Sequence, residues 1–165
     1  MNKKLNDYVA AYKDQLEIGD VQKAYIGLVK YVTRLGTTLS KNLSESYSFG
    51  NLFQGYMDYT YFYYSNDFLK KRKLKMGLIL NHTKMQFEVW LLGQTIPIRE
   101  KYWEYFKSTK WNENRMTRPQ YSILETVLIA NPNFNDLDKL SKQIQDKLAF
   151  VTDEIIQDIE TSKLN

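Results

Sequence analysis

The chain has 165 residues, 43% hydrophobic and 15% aromatic, with a net charge of +4 and no cysteine. That length fits one domain over residues 1–165 with a core of its own, and the composition excludes a disordered tail. Without cysteine there is no disulfide framework and no thiolate zinc site.

The first residues are basic at Lys3 and Lys4, but no apolar segment follows them, and no apolar run approaches a membrane span. A soluble, cytoplasmic protein is the expectation. Leu5, Tyr8, Val9, Tyr12 and Leu16 then recur at helical spacing, and Gly19 stands where a C-terminal cap belongs. Asp20 can cap a second helix striped by Val21, Ala24, Tyr25, Leu28, Val32, Leu35 and Leu39, so the two should form an antiparallel helical hairpin. Gly27 and Gly36 inside that helix hint at close packing. Ser44 to Gly50 is polar and reads as a loop.

From Phe53 to Leu92 the apolar period changes from helical to two. Three strands are predicted, at about 55–64, 73–81 and 84–92. Pairing Leu80 with Met85 puts Leu78 opposite Phe87, Met76 opposite Val89 and Leu74 opposite Leu91, all on one face. The other face then carries Lys75 across from Trp90 and Gly77 across from Glu88, with Tyr56, Asp58 and Thr60 joining if the strands form a simple meander. An all-α alternative makes Asn66 to Gly93 one long helix.

Pro97 suits the first turn of a helix striped by Ile98, Tyr102, Tyr105 and Phe106. Ser108 to Arg118 reads as a loop, and Pro119 as the start of a short helix through Ile123, Leu124, Val127 and Leu128. Asn135 is the expected N-cap of a last helix with Leu137, Leu140, Ile144, Leu148, Val151, Ile155 and Ile159 on one side. That long stripe is intramolecular packing, or in part the seam of a homodimer. The architecture is α+β: a small antiparallel sheet packed with an N-terminal helical hairpin and C-terminal helices.

No phosphate loop, nucleophile elbow, HExxH or Cys/His cluster is present, and His82 is the single histidine, so no cofactor and no metal site is expected. In its predicted turn His82 reads as a solvated polar residue. What remains is the second sheet face. Asp58, Lys75, Glu88 and Trp90, rimmed by Arg99 and Tyr102, could form a polar pocket with apolar walls for a small molecule. If Asp58 and Glu88 were close, they could shift one another's pKa and do acid–base work, or hold Mg²⁺, which would make the protein a small enzyme. The plainer reading makes Lys75–Glu88 a cross-strand pair and Trp90 packing. Tyr59, Tyr61 and Tyr63 alternate along one strand face, as a stacking platform or as amphipathic core. The run from Lys70 to Lys75 could contact nucleic acid, but with no binding motif beside it, it reads as a solvated connection that discourages edge pairing.

Three stretches, Gly55-Tyr56-Met57-Asp58-Tyr59-Thr60-Tyr61-Phe62, Phe87-Glu88-Val89-Trp90-Leu91-Leu92-Gly93 and Lys101-Tyr102-Trp103, together with the Asn131-Pro132-Asn133-Phe134 turn, resemble a family of uncharacterised bacterial proteins, mainly Gram-positive, defined only as a domain of unknown function. The resemblance covers nearly the whole chain. It implies a bacterial cytosolic protein and supplies no activity, substrate or functional residue. The function expected is a non-catalytic small-molecule-binding or protein-interaction module.

Overall fold

A computed structural model describes residues 2–165. Helix α1 (Leu5–Ile18) ends at Gly19, whose φ of 84° lets its N–H reach the Gln15 carbonyl, and α2 (Asp20–Asn42) follows at once. The helical hairpin is therefore built on the glycine the sequence offers for it. Its two helices differ in burial. α2 buries Tyr31, Val32, Leu35 and Leu39, whereas α1 buries nothing. Gly36 permits close packing, since a Cβ there would lie 3.2 Å from the Phe62 ring, while Gly27 faces open space.

Five strands follow, not three: β1 (Ser48–Phe53), β2 (Tyr59–Ser65), β3 (Leu74–Asn81), β4 (Gln86–Gly93) and β5 (Leu124–Ala130). They form one antiparallel meander in the order β1-β2-β3-β4-β5. This establishes the α+β class and removes the all-α alternative. A short helix α3 (Asp67–Lys71), capped by the Asn66 side chain, joins β2 to β3. Helix α4 (Ile96–Phe106) starts at the Thr95 cap with Pro97 in its first turn, and α5 (Leu137–Ser162) closes the chain. The α5 cap is Asp136, accepting from the Lys139 N–H, one residue beyond the expected Asn135.

Two strands lie where none was expected. β1 begins within the segment read as a loop, Ser44 to Gly50, and runs past it; it is an edge strand, mostly exposed and irregularly paired between Phe49 and Leu52, so it lacks the alternation that marks a half-buried strand. β5 occupies the segment read as a helix. The pairing with β4 shifts between Phe87 and Glu88, which leaves Leu128 as an extra residue and puts Leu128 and Ile129 both in the core. The bulge breaks the period of two, and Val127, which a helical stripe would bury with Leu124 and Leu128, is 50% exposed.

The β3–β4 hairpin has the expected faces but a register two residues away. Leu80 pairs with Phe87, Leu78 with Val89 and Met76 with Leu91. The turn comprises residues 82–85. Asn81 remains in the strand and its side chain accepts the Lys84 N–H, while Met85 takes φ 47° and leaves the ladder. Lys75 consequently faces Leu92, Gly77 faces Trp90 and Ile79 faces Glu88.

On one sheet face, Phe62, Tyr64, Leu74, Met76, Leu78, Leu80, Phe87, Val89 and Leu91 pack with side chains of α2, α4 and α5 into the main core. α5 contributes Leu140, Ile144, Leu148, Ile155 and Ile159, each buried to 2% exposure or less. Each such burial is a gain of roughly 1.5–3 kcal/mol before the entropy of ordering is deducted. A buried Tyr64 hydroxyl, 2.8 Å from Thr152 Oγ1, ties the sheet to α5.

Candidate functional site

The second sheet face carries Tyr59, Tyr61 and Tyr63 from β2, Lys75, Gly77 and Ile79 from β3, and Glu88, Trp90 and Leu92 from β4. β2 therefore presents its odd residues here. Thr60, expected on this face, is fully buried, and its hydroxyl donates to the Gln54 carbonyl at 2.8 Å. The parity is set by the turn before β2, where Asp58 Oδ1 accepts the N–H of Tyr56 at 2.9 Å and of Tyr59 at 2.7 Å.

Above this face lies an open cleft of about 870 Å³. Phe53, Tyr56, Tyr59, Tyr61, Tyr63, Trp90 and Tyr121 supply its aromatic walls, and Lys75 and Asp58 are the two charged residues lining it. The rings are mutually braced. Phe53 stacks on Tyr61 at 5.0 Å between centroids and 14° between planes, Tyr61 meets Tyr63 at 5.3 Å, and Tyr59 meets Trp90 edge-on at 5.2 Å. Gly77 leaves the space they need; a Cβ there would come within 3.5 Å of Ile79, Leu92 and Tyr63 side-chain atoms.

The two charges sit at opposite ends. Lys75 opens β3, whereas Asp58 precedes the Tyr59–Asn81 pair at the far end of the same strand. Six to seven residues of extended chain separate them, roughly 20 Å. The Lys75 ammonium lies 3.6 Å from the Tyr63 ring centroid, and burial pulls its pKa below the ordinary lysine value. Asp58 is exposed, and the two backbone N–H groups hold its carboxyl below the usual carboxylate range. Tyr63 is pushed up to about 12, first by burial and then by the neighbouring Tyr61.

Glu88 takes a different place from the one its sequence position suggests. It is 4% exposed and does not line the cleft. Oε1 accepts from Asn81 Nδ2 at 3.0 Å and Gln86 Nε2 at 2.6 Å, and Oε2 accepts from the Trp90 indole N–H at 2.7 Å. No cation among the described residues is within ion-pair distance of it. A buried carboxylate that spends both oxygens on neutral donors is an anchor: it fixes the indole that walls the cleft. Lys75 is thus paired with a ring rather than with Glu88. Asp58 and Glu88 are not brought together, since two strand spacings and about three residues of strand separate their backbones, roughly 14 Å.

Arg99 and Tyr102, expected at the rim, lie elsewhere. Tyr102 is fully buried in the main core on the other sheet face. The Arg99 stem packs against Gly93, and its guanidinium donates to the Gln120 carbonyl at 3.3 Å, next to Tyr121. The structure also adds wall residues that the list above lacks, Phe53 and Tyr121. Phe53 was hidden by the unrecognised edge strand, and nothing in the local sequence marks Tyr121.

His82 is half-buried rather than solvated. Its Nε2 is 2.7 Å from Thr60 Oγ1, and because that hydroxyl donates to Gln54, the ring nitrogen must carry the proton. Burial pulls the His82 pKa down, against a smaller opposing effect of Asp58. The cationic run is dispersed: Arg72 folds over the Phe68 ring at 3.8 Å, and Lys75 turns into the cleft, away from exposed Lys70, Lys71 and Lys73. No group of three or more His, Cys, Asp or Glu among the described residues is arranged to hold a metal ion, and no described helix is long and apolar enough to cross a membrane.

No curated protein and no solved structure matches the chain. A family model does, that of a domain of unknown function, DUF7000; it spans residues 5–159, nearly the whole fold and every wall of the cleft, and the chain belongs to that family.

Proposed function

We propose that the protein is a small-molecule-binding module whose site is the aromatic cleft, within a single domain of a cytoplasmic bacterial protein. The observation that carries this reading is the cleft itself: about 870 Å³, lined by seven aromatic side chains, with a partly buried lysine at one end. Ligand sites are mostly apolar concavities of 300–1,000 Å³ with a few placed polar groups, and this one has those proportions. Binding without catalysis fits the residues better than an acid–base pair of Asp58 and Glu88, because their carboxylates are apart and each is already engaged by local donors. Native mass spectrometry of protein taken gently from its host tests the reading. A mass excess that disappears on denaturation, and is absent from a Tyr61→Ala/Trp90→Ala variant that keeps its circular dichroism, is the expected result; an apo mass together with no binder in a screen of aromatic fragments overturns it.

A second reading, self-association, is favoured by α1. Leu5, Tyr8, Val9, Tyr12 and Leu16 form its apolar stripe and are 36–74% exposed. The charges of α1 also run against its dipole: Lys3 and Lys4 at the start outweigh Asp7, and Asp14 and Glu17 at the end outweigh Lys13. Antiparallel pairing with the α1 of a second copy would cover the stripe and set basic end beside acidic end. The partner is therefore a second copy of this chain, through α1 rather than through the buried stripe of α5. Sedimentation velocity should show a dimer that Tyr8→Lys/Tyr12→Lys converts to a folded monomer; a monomeric native protein overturns it.

A further inference from the structure

We infer that the cleft takes a planar organic monoanion, its acid group on Lys75 and its ring against Tyr61 and Trp90. This rests on the reading of the cleft as a ligand site and adds the class of ligand.

The charge of that ligand follows from Lys75. Among the fifteen residues lining the cleft it is the single cation. A lysine on a sheet face ordinarily extends its ammonium into water. Here Nζ is folded inward over the Tyr63 ring at 3.6 Å, and no carboxylate among the described residues is within ion-pair distance. Asp58, the one acid lining the cleft, is roughly 20 Å away along β3, well beyond a Debye length at physiological salt. An anion arriving at Lys75 would therefore meet an unpaired ammonium already partly stripped of water, where attraction is stronger than at a free surface. A cationic ligand is disfavoured at this end of the cleft on the same grounds. The aromatic face that would receive it, Tyr63, is occupied by the protein's own cation.

The shape of the ligand follows from the walls. Stacked Phe53 and Tyr61 and the Trp90 indole, which Glu88 and Tyr59 hold in place, offer fixed ring surfaces rather than flexible aliphatic ones. Such surfaces favour flat partners. One cation matches one negative charge, so a carboxylate suits the site better than a polyphosphate, which draws on several basic groups.

The test uses two compounds of the same outline, 2-naphthoate and 2-naphthamide, titrated calorimetrically into the full-length protein, with the Trp90 indole N–H resonance followed by NMR to place them. The naphthoate should bind about tenfold or more tighter than the amide, as one charge-assisted contact implies. Lys75→Met should erase that preference, so that naphthoate and amide bind alike, and Lys75→Arg should keep most of it. Equal affinities in the native protein, both perturbing Trp90, overturn the anion inference and leave the cleft a ligand site. If neither compound binds or shifts the Trp90 resonance, the ligand class is overturned, and the native mass and fragment screen decide the ligand site separately.

Discussion

The Glu88–Trp90 contact makes a quantitative prediction, because it joins a buried charge to a buried donor with no other partner for either atom. Oε2 accepts from the indole at 2.7 Å, with Glu88 4% and Trp90 6% exposed. A hydrogen bond to an ionised group contributes about 1.5–3 kcal/mol, roughly twice a neutral one. Single substitutions would confuse this with other effects: Glu88→Met also frees Asn81 and Gln86 and removes the desolvation cost of the carboxylate, and Trp90→Phe also leaves a void. A double-mutant cycle cancels those terms. Urea unfolding of the native chain, Glu88→Met, Trp90→Phe and the double variant, followed by far-ultraviolet circular dichroism, should return a coupling of about 2 kcal/mol. In thermal unfolding that corresponds to about 4–8 °C for a domain of this size. A coupling below about 0.5 kcal/mol would refute the view that the carboxylate is there to hold the indole.

Two further predictions concern the rim and the walls of the cleft. Gly55 has φ 73° and a Cβ there would lie 2.0 Å from the Tyr59 carbonyl oxygen, so Gly55→Ala should cost about 2 kcal/mol or more in urea unfolding and weaken any cleft ligand; a change under about 0.5 kcal/mol would show that the turn adapts. Tyr47 and Tyr63 are both pushed up to about 12, in each case chiefly by burial. Their folded pKa lies above the unfolded value near 10, so their contribution is fully present below pH 10 and is lost as pH rises from there toward 12. Absorbance at 295 nm should resolve a late-titrating class that Tyr63→Phe and Tyr47→Phe each diminish, and its absence would contradict the burial described.

Where one residue type governs an element, the chain is readable. Gly19 splits α1 from α2, Pro97 lies in the first turn of α4, and the four-residue recurrence of Leu140, Ile144 and Leu148 marks α5. Alternation in β3 and β4 correctly assigns Lys75 and Trp90 to the non-core face, because parity survives a two-residue slip in register. It does not survive a change in where a strand begins. Strand periodicity cannot show that Asp58 accepts two N–H groups in a turn; that turn puts Tyr59, Tyr61 and Tyr63 on the cleft face of β2 and Thr60 in the interior, while Tyr56 and Asp58 reach the cleft from the turn. β1 and β5 escape detection because an edge position and a bulge each suppress the period of two. The geometry of Glu88 is beyond any periodicity argument: the strand sets its face, but only the side chains of Asn81, Gln86 and Trp90 decide that its oxygens turn sideways rather than toward the cleft.

Strand β3 writes two surfaces with one stretch of eight residues: Leu74, Met76, Leu78 and Leu80 belong to the core, while Lys75, Gly77 and Ile79 belong to the cleft side. Substitutions can therefore alter one surface and spare the other. Insertions and deletions cannot. Adding or removing a single residue in β3 would send the Lys75 ammonium toward the helices and an aliphatic chain toward the tyrosines, so binding and stability would be lost together rather than traded. In this strand, length is under tighter constraint than identity, and drift in chain length must be absorbed by the turn at residues 82–85 and the loop ahead of β5.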